Sequence, residues 1–111
     1  MTRRLHINGS TRIGRDDMTA RVAEAISLSG AWMHGFSMFS NVSATVRVGL
    51  AARQVETFSR RLRAAGLVLD DHSRGAIHDS ARDSDDEVVA TVRIAFLTGE
   101  TGTEAVVAAP A

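Results

Sequence analysis

The 111-residue sequence contains no cysteine, no lysine and no tyrosine. Without cysteine there are no disulfides, no thiolate nucleophile and no thiolate metal site. Without lysine there is no side-chain amine for Schiff-base chemistry, and all 13 basic residues are arginine. No apolar run approaches the roughly 20 residues of a membrane-spanning helix. The start, Met1-Thr2-Arg3-Arg4-Leu5, has basic residues with no apolar stretch behind them. Neither a signal nor a membrane anchor is therefore expected, and the expected location is cytoplasmic. What is plentiful is Arg, Ala, Val and Gly, the bias of a GC-rich bacterial genome. The length leaves room for one domain with one core.

Formal charge is zero overall but uneven along the chain. Residues 1–69 carry ten arginines against Asp16, Asp17, Glu24 and Glu56, whereas residues 70–87 carry seven acids against Arg74 and Arg82. The acidic segment is expected to be a solvated, flexible loop.

Hydrophobic periodicity sets the elements. Leu5 and Ile7 share one face of a short strand that is expected to end in the turn formers Asn8-Gly9-Ser10-Thr11. Met18, Val22, Ala25 and Ile26 then repeat at helical spacing, with acids in the first turn and Gly30 as the stop. Ala31 to Phe39 and the alternating run Val42, Ala44, Val46, Val48, Leu50 read as two strands joined by a tight turn at Ser40-Asn41. Val55, Phe58, Leu62 and Ala65 mark a second helix, stopped by Gly66. Leu67-Val68-Leu69 starts another strand, 70–87 is the acidic loop with room for a short helical turn, and Glu87 to Leu97 is a long β-branched run. Residues 1–98 form the expected domain and 99–111 a C-terminal tail. The order strand, helix, strand, strand, helix, strand predicts an α+β ferredoxin-like two-layer plait, βαββαβ, with two helices on one face of an antiparallel sheet and the other face open.

Residues 44–70, with Val46-Arg47-Val48-Gly49-Leu50, then Val55, Phe58 and Leu62, then Ala65-Gly66-Leu67, resemble the strand–helix–strand half of an ACT-type regulatory domain over about a quarter of the chain. The resemblance implies an oligomer that binds small ligands, commonly amino acids, at its interfaces. It also implies a ligand loop at Asn8-Gly9-Ser10.

Gly9 to Asp16 keeps the glycine spacing of a phosphate-binding loop, but Arg15 stands where lysine is needed and Asp16 where the Mg²⁺-holding hydroxyl is needed. Nucleotide hydrolysis is therefore not expected, leaving either an ordinary turn or a looser anion site at Gly9, Arg12 and Arg15. His72, His78-Asp79, Asp83, Asp85, Asp86 and Glu87 match no calcium or zinc spacing, so no metal and no cofactor are expected. The first and third strands present no aromatic residue for base stacking, so no nucleic-acid partner is expected.

Hairpin parity gives the sharpest expectation. An even-length turn at Ser40-Asn41 puts Trp32, His34, Phe36 and Met38 on the open face beside Ser43, Thr45 and Arg47. Such a row is too apolar for water, and it predicts a homo-oligomer through the open face with a small-molecule pocket inside the contact. An odd-length loop or a bulge would instead flip the register and send Trp32 into the core. The leading functional expectation is an oligomeric regulatory or ligand-binding module. The alternatives are a small dimeric α/β-barrel enzyme using His34 or His6 as acid or base, or a structural partner of another protein.

Overall fold

The computed structural model describes residues 2–40 and 42–97, with the backbone alone at 38–40; the tail expected at 99–111 lies outside the described residues. The chain is α+β. Its main elements are β1 (Arg3–Thr11), α1 (Arg15–Leu28), β2 (Trp32–Ser40), β3 (Ser43–Ala51), α2 (Val55–Ala64), β4 (Val68–Leu69), α3 (Asp71–Ser80) and β5 (Glu87–Phe96), with a 3-10 turn at Ala52–Gln54 before α2. No described helix is long and apolar enough to cross a membrane.

The first six elements follow the expected plait order, but the chain continues through α3 and β5, and this changes the sheet. Five strands lie in the order β2-β3-β5-β1-β4. Strand β5 lies between β3 and β1, antiparallel to the first and parallel to the second. It wins the centre because Val88, Ala90, Val92, Ile94 and Phe96 bury a full face along ten residues, whereas β4 pairs with β1 at Gly9 and Ser10 alone. With partners on both sides, β1 runs on through Thr11, so Asn8-Gly9-Ser10 is strand and not the expected turn.

The core lies between the sheet and the helices. Leu5, Ile7, Val46, Val48, Val92 and Ile94 face Met18, Val22, Ile26, Phe58 and Leu62. Helix α1 packs against α2, and α2 against α3. Both long helices stop as their sequences require. Gly30 (φ +73°) and Gly66 (φ +113°) take the left-handed conformation. The amides of Ala31 and Leu67 return to the carbonyls of Ile26 and Leu62, and those of Gly30 and Gly66 to Ser27 and Arg63. This is the full double-bonded glycine cap.

Helix α3 corrects the expected acidic loop. Residues 71–80 are helical because Asp70 caps the first turn, accepting the Ser73 amide at 2.7 Å. Hydrogen bonding from Ser73, side chain and then backbone, holds the Asp70 carboxyl below its ordinary value. Ile77 is buried in the core. Ser73 is fully buried beside β1, where its hydroxyl accepts the Asn8 amide at 2.7 Å and approaches the Asn8 carbonyl at 3.4 Å. The serine thus supplies the pairing that the two-residue β4 is too short to give. Ser73→Ala leaves that amide without a partner and is expected to cost about 1–3 kcal/mol in denaturant unfolding; Ser80→Ala at the end of the same helix is the control, expected within about 0.5 kcal/mol of wild type.

Candidate functional site

Each sheet strand shows one parity to the helices, and the other parity forms the open face. On that face β1 presents Arg4, His6, Asn8 and Ser10; β5 presents Val89, Thr91, Arg93 and Ala95; β3 presents Ser43, Thr45, Arg47 and Gly49. Register fixes the rows. His6 lies opposite Thr91, which lies opposite Arg47; Asn8 lies opposite Arg93, which lies opposite Thr45; Arg4 lies opposite Val89, which lies opposite Gly49. Arg47 and Arg93 are diagonal neighbours, with backbones about 7–8 Å apart.

The hairpin departs from the expected parity. Trp32 pairs with Gly49 as expected, but an irregularity between Met33 and Gly35 leaves His34 as an extra residue. Beyond it Phe36 lies opposite Val46 and Met38 opposite Ala44, instead of Thr45 and Ser43. A second irregularity precedes Ser40, which pairs with Ser43, so the expected Phe39–Val42 closure does not form. Since Val46 and Ala44 are core, Phe36 belongs to the helix side of the sheet and Met38 takes a helix-side register position. Met38's side chain lies outside the described residues. The expected row of Trp32, His34, Phe36, Met38 and Arg47 is therefore split. Trp32, His34 and Arg47 share the open face, and Phe36 and Met38 do not join them.

Trp32 is held where it is. Its indole Nε1–H donates to His34 Nε2 at 2.7 Å, and the two rings lie 6.1 Å apart. Both rings rest over Gly49, where a Cβ would come within 2.5 Å of the indole and 2.6 Å of His34 Nε2. The missing side chain of Gly49 thus provides the bed for a half-exposed tryptophan, 48% accessible.

Electrostatically the face is mainly basic. Among the described residues the side chains of Arg4, Arg47 and Arg93 make no ion pair or hydrogen bond, whereas ion pairs join Arg53 to Asp85, Arg74 to Asp71 at 2.8 Å and Arg15 to Asp16 at 3.7 Å elsewhere. The only carboxylate of open-face parity on β1, β3 or β5 is Glu87 at the far end, where it accepts from the Thr2 hydroxyl at 3.2 Å. An open depression of about 370 Å³ lies between Arg93, Asn8, Ser43, Thr45 and Ala95.

The other expected anion site is not assembled. Gly9 lies within β1, and its bare Cα accommodates Leu67, whose Cγ would be 2.6 Å from a Cβ there. Arg12 and Arg15 are exposed beyond the strand, and Asp16 and Asp17 occupy the first turn of α1. No group of three His, Asp or Glu side chains suited to a metal ion occurs among the described residues. Sequence reasoning missed Arg4 and left open whether Val89, Thr91, Arg93, Ala95 and Leu97 or the opposite set of the last strand faces outward, because the neighbours of β5 are not written in local pattern and both of its faces are largely apolar. Comparison with family models, with curated proteins and with solved structures finds no match to this chain.

Proposed function

We propose that the chain is a non-enzymatic binding module whose open sheet face takes a small, multiply charged anion such as a phosphorylated or polycarboxylate metabolite. The observation that carries this reading is the diagonal placing of Arg47 on β3 and Arg93 on β5 on one face, without a carboxylate partner among the described residues, with Arg4 farther along the same face on β1. Like charges gathered without neutralisation raise the local concentration of anions and cost the fold self-repulsion, which a bound anion relieves. Arginine suits carboxylate and phosphate because its planar fork donates two parallel hydrogen bonds. Thr45, Thr91, Asn8 and Ser43 add neutral donors between the guanidinium groups, and Trp32 adds an apolar wall at one side.

A small anion fits better than a nucleic acid, because the central strands β5 and β1 offer bases nothing to stack on. A binding role also fits better than acid–base catalysis at His34, whose Nε2 is already the acceptor of the Trp32 indole. The reading agrees in kind with the resemblance of residues 44–70 to ACT-type domains, which bind small ligands.

Calorimetric titration with inorganic tripolyphosphate and with citrate tests it. Binding should weaken with added salt and fall at least about tenfold in the double variant Arg47→Ala, Arg93→Ala. Arg60→Ala, Arg61→Ala on the exposed side of α2 should leave it unchanged. Equal losses in the two double variants, or no binding of either probe, would refute a specific site.

A further inference from the structure

Five of the seven large apolar side chains exposed among the described residues lie along one edge of the molecule. Trp32, Met33 and Phe36 are on β2, Leu28 is in the last turn of the helix leading into it, and Val42 follows it. From Gly30 to Val46 the sequence contains no Asp, Glu or Arg, although 23% of the whole chain is charged. Strand β2 is nine residues long and ends the sheet, so its outer backbone groups pair with no other described strand. Natural edge strands are ordinarily blunted by charge, by proline, by brevity or by bulges. This one lacks charge, proline and brevity, and its two register irregularities still leave Gly35 to Met38 in regular pairing.

The geometry points to a second copy of this chain as the occupant of that edge, with β2 paired antiparallel to β2 across a two-fold axis. A row of edge N–H and C=O groups otherwise left to water is matched group for group by another strand. The strand must itself be uncharged, or a charge would lie against Met33 and Phe36. The chain owns such a strand, and an isologous contact places it opposite itself. Face parity restricts the register: Phe36, on the helix side, must meet a helix-side position of the copy. The axis therefore runs through Phe36 or through Ser37. If the contact extends past the regular stretch along the whole edge, about 30 Å long with a helix layer behind it, it covers at most roughly 600 Å² per copy, or about 1,200 Å² in all, the lower end of stable specific interfaces. The contact differs from the one expected through the open face. It leaves Arg47 and Arg93 free and sets the two basic faces side by side on a ten-stranded sheet.

Sedimentation velocity across a dilution series, with hydrogen exchange at both ends of the series, tests the contact apart from anion binding. Wild type should dimerise with rising concentration, and the outward-pointing amides among residues 35–38, those not bonded to β3, should gain protection in step. Phe36→Glu and Met33→Glu should each weaken the dimer at least about tenfold, since each sets a carboxylate in a desolvated contact. Met33 is 45% exposed and Phe36 39%, so the Met33→Glu monomer should stay folded with a melting temperature near that of wild type and the Phe36→Glu monomer should lose more. The absence of native cysteine allows a cleaner readout: Ser37→Cys should give a covalent dimer with a short bis-maleimide, and Glu56→Cys on α2 should not. Three results would overturn the inference: a monomer at every concentration, a dimer indifferent to both glutamate variants, or edge amides protected in the monomer, which would place a segment of the same molecule on β2.

Discussion

Val46→Asp should leave the chain unfolded, and Arg47→Asp, one residue on, should leave it folded. Val46 is fully buried at the centre of the sheet, opposite Val92 on one side and Phe36 on the other. An ionised carboxylate there has no partner, and even a protonated one costs several kcal/mol to desolvate in apolar surroundings. Total stability for a domain of this size is about 5–15 kcal/mol, and loss of the valine methyl contacts adds to the desolvation cost. Arg47 points the other way and is exposed, so Arg47→Asp should change stability by no more than about 0.5 kcal/mol. It should nevertheless destroy anion binding, because it inverts a charge beside Arg93. Circular dichroism and urea unfolding give the first result, and titration with tripolyphosphate gives the second. A folded Val46→Asp protein with native near-ultraviolet signal would mean that β3 shows its other face to the helices.

That contrast rests on β3, where local pattern and tertiary structure agree. Alternation of apolar and polar residues from Ala44 to Leu50 is a period-two signal that only a half-buried strand explains, and the buried set is the apolar set. The stops at Gly30 and Gly66 were legible for a similar reason: a left-handed cap needs glycine, and the requirement is local. Helix α3 was hidden because it has a weak apolar stripe, Ala76 and Ile77, and a glycine in its middle. What holds it is Asp70 at its start and a buried serine bonded to β1, and the second of these is invisible until β1 is beside it. The position of β5 was illegible altogether, since no residue in it states that it will pair with both β3 and β1.

The candidate site was half legible. Trp32, His34 and Arg47 were placed on the open face by parity, and they share it. Phe36 and Met38 were placed there too, and the extra residue at His34 moves them across the sheet. One signal for that was present. A glycine inside an otherwise regular strand, here Gly35 directly after His34, is a common mark of a bulge. Taken up, it would have separated the apolar residues from the basic ones. The open face would then have read as a polar surface for an anion, with the apolar contact displaced to the edge.

Phe58→Ala should destabilise the protein by about 3–5 kcal/mol and Leu62→Ala by about 2–5 kcal/mol, whereas Arg60→Ala and Arg61→Ala should lie within about 0.5 kcal/mol of wild type. Phe58 and Leu62 are one turn apart on α2, both wholly buried, and with Val55 they form the stripe that seats the helix on the sheet. Removing either side chain loses its transfer free energy and opens a cavity between α2 and strands whose backbones are fixed by pairing on both sides, so the walls have little freedom to collapse. Phe58 has the larger volume and the larger expected loss. The two residues are close enough to share a cavity, so the double variant should depart from additivity, costing less than the sum of the single changes. Arg60 and Arg61 lie on the exposed side of the same helix with no ion pair among the described residues. Urea midpoints at a common denaturant slope give all four values. Arginine variants costlier than the Phe58 and Leu62 variants would reverse the faces of α2, and with them the side of the sheet on which the anion site lies.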